Sequence, residues 1–326
     1  MRSCVQFMTC GAILLASCTG GPEFPSGNGS FEPTGIIQAI RLSNASVTPV
    51  SGEGRGTGPS YNAPAAAALD ASRSRLLVLN DFADFIVQEP WALYAVDLPS
   101  GDRTIVSDET HGIGPLPMQG TIEAGAMAFD PTSYRVYVAW GAYLVEVDLA
   151  TGDRVEVSGP NVGGGPLFET ARAVALDMAN GRAFLADPLA DVIVAVDLTT
   201  GDRTVLVDGI GGGTYSSGLT SVALDAANNR LLVADDATDS IYAVDPTTGD
   251  VVPFSGVARG TGAPFLVPRD LAVDSARNRV LVADDESLIS VDLSSGNRVA
   301  LKTFEMGLRA LALDETNDRV LVAGVR

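Results

Sequence analysis

Six copies of one short phrase, Ala-x-Asp, recur along the chain: Ala68-Leu69-Asp70, Ala128-Phe129-Asp130, Ala175-Leu176-Asp177, Ala223-Leu224-Asp225, Ala272-Val273-Asp274 and Ala312-Leu313-Asp314. Most are followed by a polar turn and an apolar run such as Arg230-Leu231-Leu232-Val233-Ala234-Asp235. A second phrase such as Tyr242-Ala243-Val244-Asp245 and a Thr248-Gly249-Asp250 turn come next. The spacing is roughly 48 residues, and a period in that range marks stacked supersecondary units that bury their faces only against one another.

The third copy predicts four short strands. Ala173 to Leu176 alternates, Asp177 to Arg182 is a turn rich in Asn and Gly, and Ala183 to Ala186 returns. Val192 to Asp197 and Thr204 to Val207 follow, separated by Thr199-Thr200-Gly201-Asp202-Arg203. The middle strands are apolar at successive positions, as in a sheet covered on both faces. The invariant Ala is small where innermost strands crowd toward an axis, with bulky residues such as Val174 and Leu176 on the other face. The last copy supplies only an inner pair of strands before the sequence stops. The missing outer pair lies at the start, where Ile37 to Leu42 and Val47 to Gly52 match Tyr242 to Gly256. The expected fold is therefore all-β, a six-bladed β-propeller closed by N-terminal strands that complete the C-terminal blade, leaving no free sheet edge. The Val233-Ala234-Asp235 and Val282-Ala283-Asp284 runs that follow the Ala-x-Asp strands resemble the six-bladed propellers of the NHL and SMP-30/gluconolactonase-like superfamily, over nearly the whole of 36–326. No repeated Gly-His and Trp-Asp pair and no double-glycine signature points to WD40 or kelch blades.

The N-terminus reads as a targeting segment. Arg2 precedes an apolar stretch too short to span a bilayer, and Leu15-Ala16-Ser17-Cys18 resembles the bacterial lipobox, in which the cysteine is acylated. An ordinary signal peptide cleaved nearby is the alternative. The organisation expected is a signal peptide over 1–17, lipidated Cys18 with a Gly/Pro/Ser-rich tether over 18–35, and the propeller over 36–326. Cys4 and Cys10 leave with the signal, so stability falls to core packing without an internal disulfide. Thr19 after the lipidated cysteine implies, by resemblance to proteobacterial lipoproteins, delivery to the outer membrane of the cell envelope.

With 40 acidic against 21 basic residues and a formal net charge of -19, the chain repels nucleic acid and anionic membrane surfaces. Against that background the residue five positions before each repeat Asp stands out: Ala65, Gly125, Arg172, Thr220, Arg269 and Arg309. Three arginines at one structural position could converge on a carboxylate or phosphate as bidentate donors. The competing reading pairs each with an acidic neighbour such as Asp187, Asp235 or Asp284. A second candidate is the long first-blade connection from Asp81 to Trp91, where Phe82, Phe85 and Trp91 would cap a ligand, anchor a protein partner, or pack against the blade below.

Catalytic signals are weak. The glycine-rich inter-blade loops, such as Gly163-Gly164-Gly165-Pro166, lack the Gly-Lys-Ser/Thr context of a phosphate loop and read as tight turns. His111 is the only histidine, with no Gly-x-Ser-x-Gly elbow beside it. Resemblance to SMP-30 implies Asn or Asp metal ligands near the start of inner strands and an early Glu, and arginine or small residues stand there instead. Glu123, Glu169 and Asp270 are the available substitutes, and Asp235-Asp236, Asp239 and Asp284-Asp285 form no spaced calcium loop. The reading is a lipid-anchored platform that binds a protein or a small anionic ligand, with no cofactor and no catalytic residue assigned. The alternative is an SMP-30-like hydrolase or lactonase acting on a small anionic ester with a divalent cation.

Overall fold

The polar turns and apolar runs do become four antiparallel strands per repeat in the computed structural model, which describes residues 35–52, 54–60, 64–80, 91–116, 125–210 and 218–325. In the third blade they are Ala173–Asp177, Arg182–Asp187, Val192–Asp197 and Arg203–Asp208, paired in sequence order from the inside out. Five blades have this plan. In the sixth, the inner strands Gly307–Asp314 and Arg319–Val325 are continued outward by Gly35–Arg41 and Val47–Ser51. The seam is a full antiparallel ladder running from Gly35 opposite Val325 to Arg41 opposite Arg319. The expected six-bladed β-propeller, closed by its N-terminal strands, is what the chain forms; its first strand begins at Gly35.

The role of the repeated Ala is more specific than crowding at an axis. In every blade it packs into the apolar core shared with the following blade, while the bulky residue after it faces the preceding one. Thus Ala68 shares a core with Phe129, Ala128 with Leu176, and Ala175 with Leu224. Ala223 likewise meets Val273, Ala272 meets Leu313, and Ala312 meets Leu69, which closes the circle. A small residue against a large one at each interface lets six sheets approach near the axis without voids.

The repeat Asp has its own reason. Asp70, Asp177, Asp225, Asp274 and Asp314 each accept a hydrogen bond from the Arg five residues on, at 2.8–2.9 Å. In the second blade Asp130 instead accepts from Ser133, and Arg135 turns to Glu146. Burial would raise the Asp177 carboxyl, but hydrogen bonds from Asn180 and Arg182 outweigh it and hold the group below its ordinary value. An acid depressed by folding stabilises fully above its unfolded pKa of about 3.9, and the contribution is lost as pH falls through the lower folded value. Asp177→Asn is therefore expected to cost about 2 kcal/mol near neutrality, with the deficit shrinking toward about pH 2. Urea midpoints across that range test this; a deficit constant with pH refutes it.

Around the rim, successive blades are clasped by arginine. Blades 1, 2, 3 and 5 begin their outermost strand with Arg103, Arg154, Arg203 and Arg298. Arg203, only 6% exposed, donates to the carbonyls of Pro166, Gly159 and Val162 and to Ser158 Oγ, all at 2.8–3.1 Å. Those acceptors belong to the end of the previous blade and its glycine-rich loop. Ser158 Oγ in turn donates to the Gly201 carbonyl, and the Asp202 carboxylate accepts from the Gly164 N–H. A Cβ on Gly163, at φ +78°, would lie 1.8 Å from the Gly201 oxygen, so only glycine fits. The described loops of this kind, at Gly56, Gly112, Gly163 and Gly260, are structural turns; Gly211 to Gly213 lie outside the described residues. Blades 4 and 6 begin the corresponding strand with Val251 and Val47.

Candidate functional site

In four blades the position five residues before the repeat Asp coincides with a β-bulge. Pro268 opposes Asp284 and Asp270 opposes Ala283, so Arg269 is the extra, unopposed residue. The same register shift isolates Arg309 between Leu308 and Ala310, Thr220 between Leu219 and Ser221, and Ala65 between Pro64 and Ala66. A bulge re-aims its side chain out of the pleat. Arg172 stands one residue ahead of its strand, with its N–H on the Ala186 carbonyl at 2.9 Å. All these positions lie where inner strands begin, at one mouth of the central channel.

The arginines do converge electrostatically. Burial lowers Arg309 from its ordinary value, and repulsion from Arg269 adds to it. Arg172 is lowered by burial and by Arg269, with Asp236 acting in the opposite sense. Arg269 thus couples to both of the others. Among the described residues, neither Arg269 nor Arg309 makes a hydrogen bond or a close ion pair, whereas Arg172 has a partner.

The acidic neighbours named from the sequence are occupied elsewhere. Asp187 accepts from the N–H groups of Glu169, Leu189 and Ala190, Asp235 from Ala237, and Asp284 from Leu266 and Val267. They tie loops to strand ends. The carboxylates that face the arginines are the next residues on, Asp236 and Asp285. Burial raises Asp236, attraction from Arg269 and Arg172 opposes this, and Asp235 and Asp239 raise it further. The Asp-Asp doublets at equivalent places in blades 4 and 5 carried this signal, but which member faces the channel depends on the turn.

Asp270, the residue after the bulge, joins three blades. Its Oδ1 accepts from Ser221 Oγ at 3.0 Å and the Leu271 N–H at 2.8 Å, and its Oδ2 accepts from the Leu311 N–H at 2.7 Å. Burial pushes this carboxyl up to about 6 against those hydrogen bonds. Folding therefore favours its protonated form, so its contribution to stability falls as pH rises from about 4 to about 6. Proton uptake on refolding within that window is the expected result, measurable by refolding in two buffers of different ionisation enthalpy. Uptake that persists in Asp270→Asn would refute the assignment.

Among the described residues, no group of three or more His, Cys, Asp or Glu side chains is placed to hold a metal ion. Asp270 spends its oxygens on neighbouring blades, and Glu123 lies outside the described residues. His111 is exposed, with Nδ1 2.9 Å from Asp108 Oδ1 within one loop.

Trp91 does not serve as an exposed contact. It is 6% exposed, 5.9 Å from Trp140 between ring centres, in the core between blades 1 and 2. The expectation of a partner-facing Trp91 is corrected to packing, because the indole fills the inter-blade space where its strand begins. Its Nε1 is buried without a hydrogen-bond partner. Phe82, Phe85, Cys18 and the signal peptide lie outside the described residues.

No family model matches this chain, and no curated protein matches it in sequence. Solved structures do match. A protein of unknown function from Bacteroides thetaiotaomicron aligns with a TM-score of 0.61 at 16% identity, over 92% of this chain and 78% of its own. The likeness is one of fold. An auxiliary nutrient binding protein from the same organism gives a TM-score of 0.58 at 10% identity, over 92% of this chain and 79% of its own. A chain of a nidogen/laminin complex gives 0.55 at 11% identity, over 89% and 98%.

Proposed function

We propose that this chain is a cell-envelope lipoprotein, anchored through Cys18, whose propeller is a binding platform that takes an anionic group at the channel mouth through Arg172, Arg269 and Arg309. The observation that carries this is the pair Arg269 and Arg309: two bulge-borne guanidiniums, mutually repelling, without a hydrogen bond or close ion pair among the described residues. A carboxylate or phosphate between them relieves that repulsion and supplies bidentate acceptors. The nutrient-binding protein and the nidogen/laminin chain support a binding role for such a ring.

Calorimetric titration of small carboxylates and phosphates tests the reading. Arg269→Ala is expected to weaken binding by at least about tenfold, the value of one charge-assisted hydrogen bond. Asp236→Asn is expected to raise the affinity, because it removes a competing negative charge. Anion binding unaffected by Arg269→Ala, or absent altogether, refutes the site. Metabolic labelling with a fatty acid, lost in Cys18→Ala, tests the anchor separately.

A further inference from the structure

The arginines are not the only unusual feature of this mouth. Leu189 is 58% exposed and Leu266 is 62% exposed, on the loops that border it. The backbone of both is held in place. The Leu189 N–H donates to Asp187 Oδ1 at 3.0 Å, and the Leu266 N–H donates to Asp284 Oδ1 at 2.9 Å. Leu167, 50% exposed, precedes the Glu169 amide that the same Asp187 carboxylate holds. Leu167 and Leu189 belong to blade 3, which carries Arg172; Leu266 leads into the blade 5 strand that carries Arg269. Exposed apolar side chains on the same face as the arginines, in a chain of net charge -19, give this mouth two chemistries, cationic within and apolar at the loops of blades 3 and 5.

The width of this face bears on its occupant. Facing sheets pack about 10 Å apart, so side chains two blades apart stand on the order of 20 Å from each other. A small anion reaches the arginines and no further. A polypeptide reaches both. Resting on the anion reading above, we infer that this face receives a protein partner through a projecting segment with a carboxylate at its tip and apolar side chains beside it. The tip enters between Arg269 and Arg309, where the charge complementarity lies, and the flanking side chains cover Leu167, Leu189 and Leu266. Charge selects the tip, and the leucines supply apolar contact that a free anion lacks.

Panning a displayed library of random short peptides against the full mature chain tests this. The expected winners carry Asp or Glu flanked by apolar residues. A synthetic winner should bind at least about tenfold more weakly to the Arg269→Ala/Arg309→Ala variant, and on the order of tenfold more weakly to Leu189→Ser/Leu266→Ser, with both variants melting as the parent does. Winners without a carboxylate, no enrichment, or a leucine variant that binds normally would overturn the inference. If acetate, succinate or phosphate still binds in an Arg269-dependent way while the peptides fail, the anion site stands and the protein partner falls. If neither binds, both fall.

Discussion

A chain lacking residues 35–52 is expected to lose its cooperative thermal transition. The deleted strands carry Ile37 and Ile40, 0% and 1% exposed. Ile37 lies in the core between blades 6 and 1, and Ile40 in the core between blades 5 and 6, so one deletion opens both flanks of the sixth blade. Loss of a buried isoleucine side chain costs about 2–5 kcal/mol. Stripping the ladder partner from Arg319–Val325, most of which is buried, adds unsatisfied backbone groups at about 1–3 kcal/mol each. The sum reaches the whole stability of an ordinary domain, about 5–15 kcal/mol. Differential scanning calorimetry decides the matter: an unchanged single transition would mean that the ring is not held shut by its N-terminal strands. Partial recovery on adding the deleted segment as a free peptide would place the loss in strand pairing.

Arg203→Ala is expected to destabilise the protein by about 3–5 kcal/mol, among the largest effects available to a side chain outside the apolar core. The guanidinium is the shared donor for three carbonyls and a hydroxyl belonging to the previous blade and its loop. Truncation leaves these acceptors facing a void at the blade junction. Arg203→Lys should recover little, because an ammonium cannot present the planar fork that reaches Pro166 and Val162 together. Urea denaturation of both variants checks this, and a lysine variant as stable as the parent would refute the geometric argument. Val251→Ala, at the corresponding place in blade 4, is the matched control and should cost much less, since valine offers no such donors.

Much of this architecture was legible because its causes are local. The Ala-x-Asp phrase, the apolar runs and the Asp-rich turns each act within a few residues, so strand existence and blade number could be read from repetition. The strand Val192–Asp197 was placed without error, and Arg203–Asp208 to within a residue at either end. What stayed hidden is contact between units. Arg203 read as part of a turn, and nothing in Gly201-Asp202-Arg203 says that its acceptors lie about 40 residues earlier. At the mouth, counting back from the repeat Asp found Arg172, Arg269 and Arg309, since the start of the inner strand repeats with the blade. The same count could not separate Asp235, consumed by its own turn, from Asp236, which faces the arginines.

The ladder between Gly35–Arg41 and Arg319–Val325 also imposes an order in time. Protein synthesis delivers the first of these strands long before its neighbour exists, so during elongation it must wait with its edge unsatisfied. No intermediate length of nascent chain holds a finished ring, and the last blade assembles only when the final strand has emerged. Completion is thereby withheld until Arg319–Val325 has been made. It also means that damage at two places far apart in the sequence converges on a single sheet, so loss of Gly35–Arg41 or of Arg319–Val325 should produce the same defect.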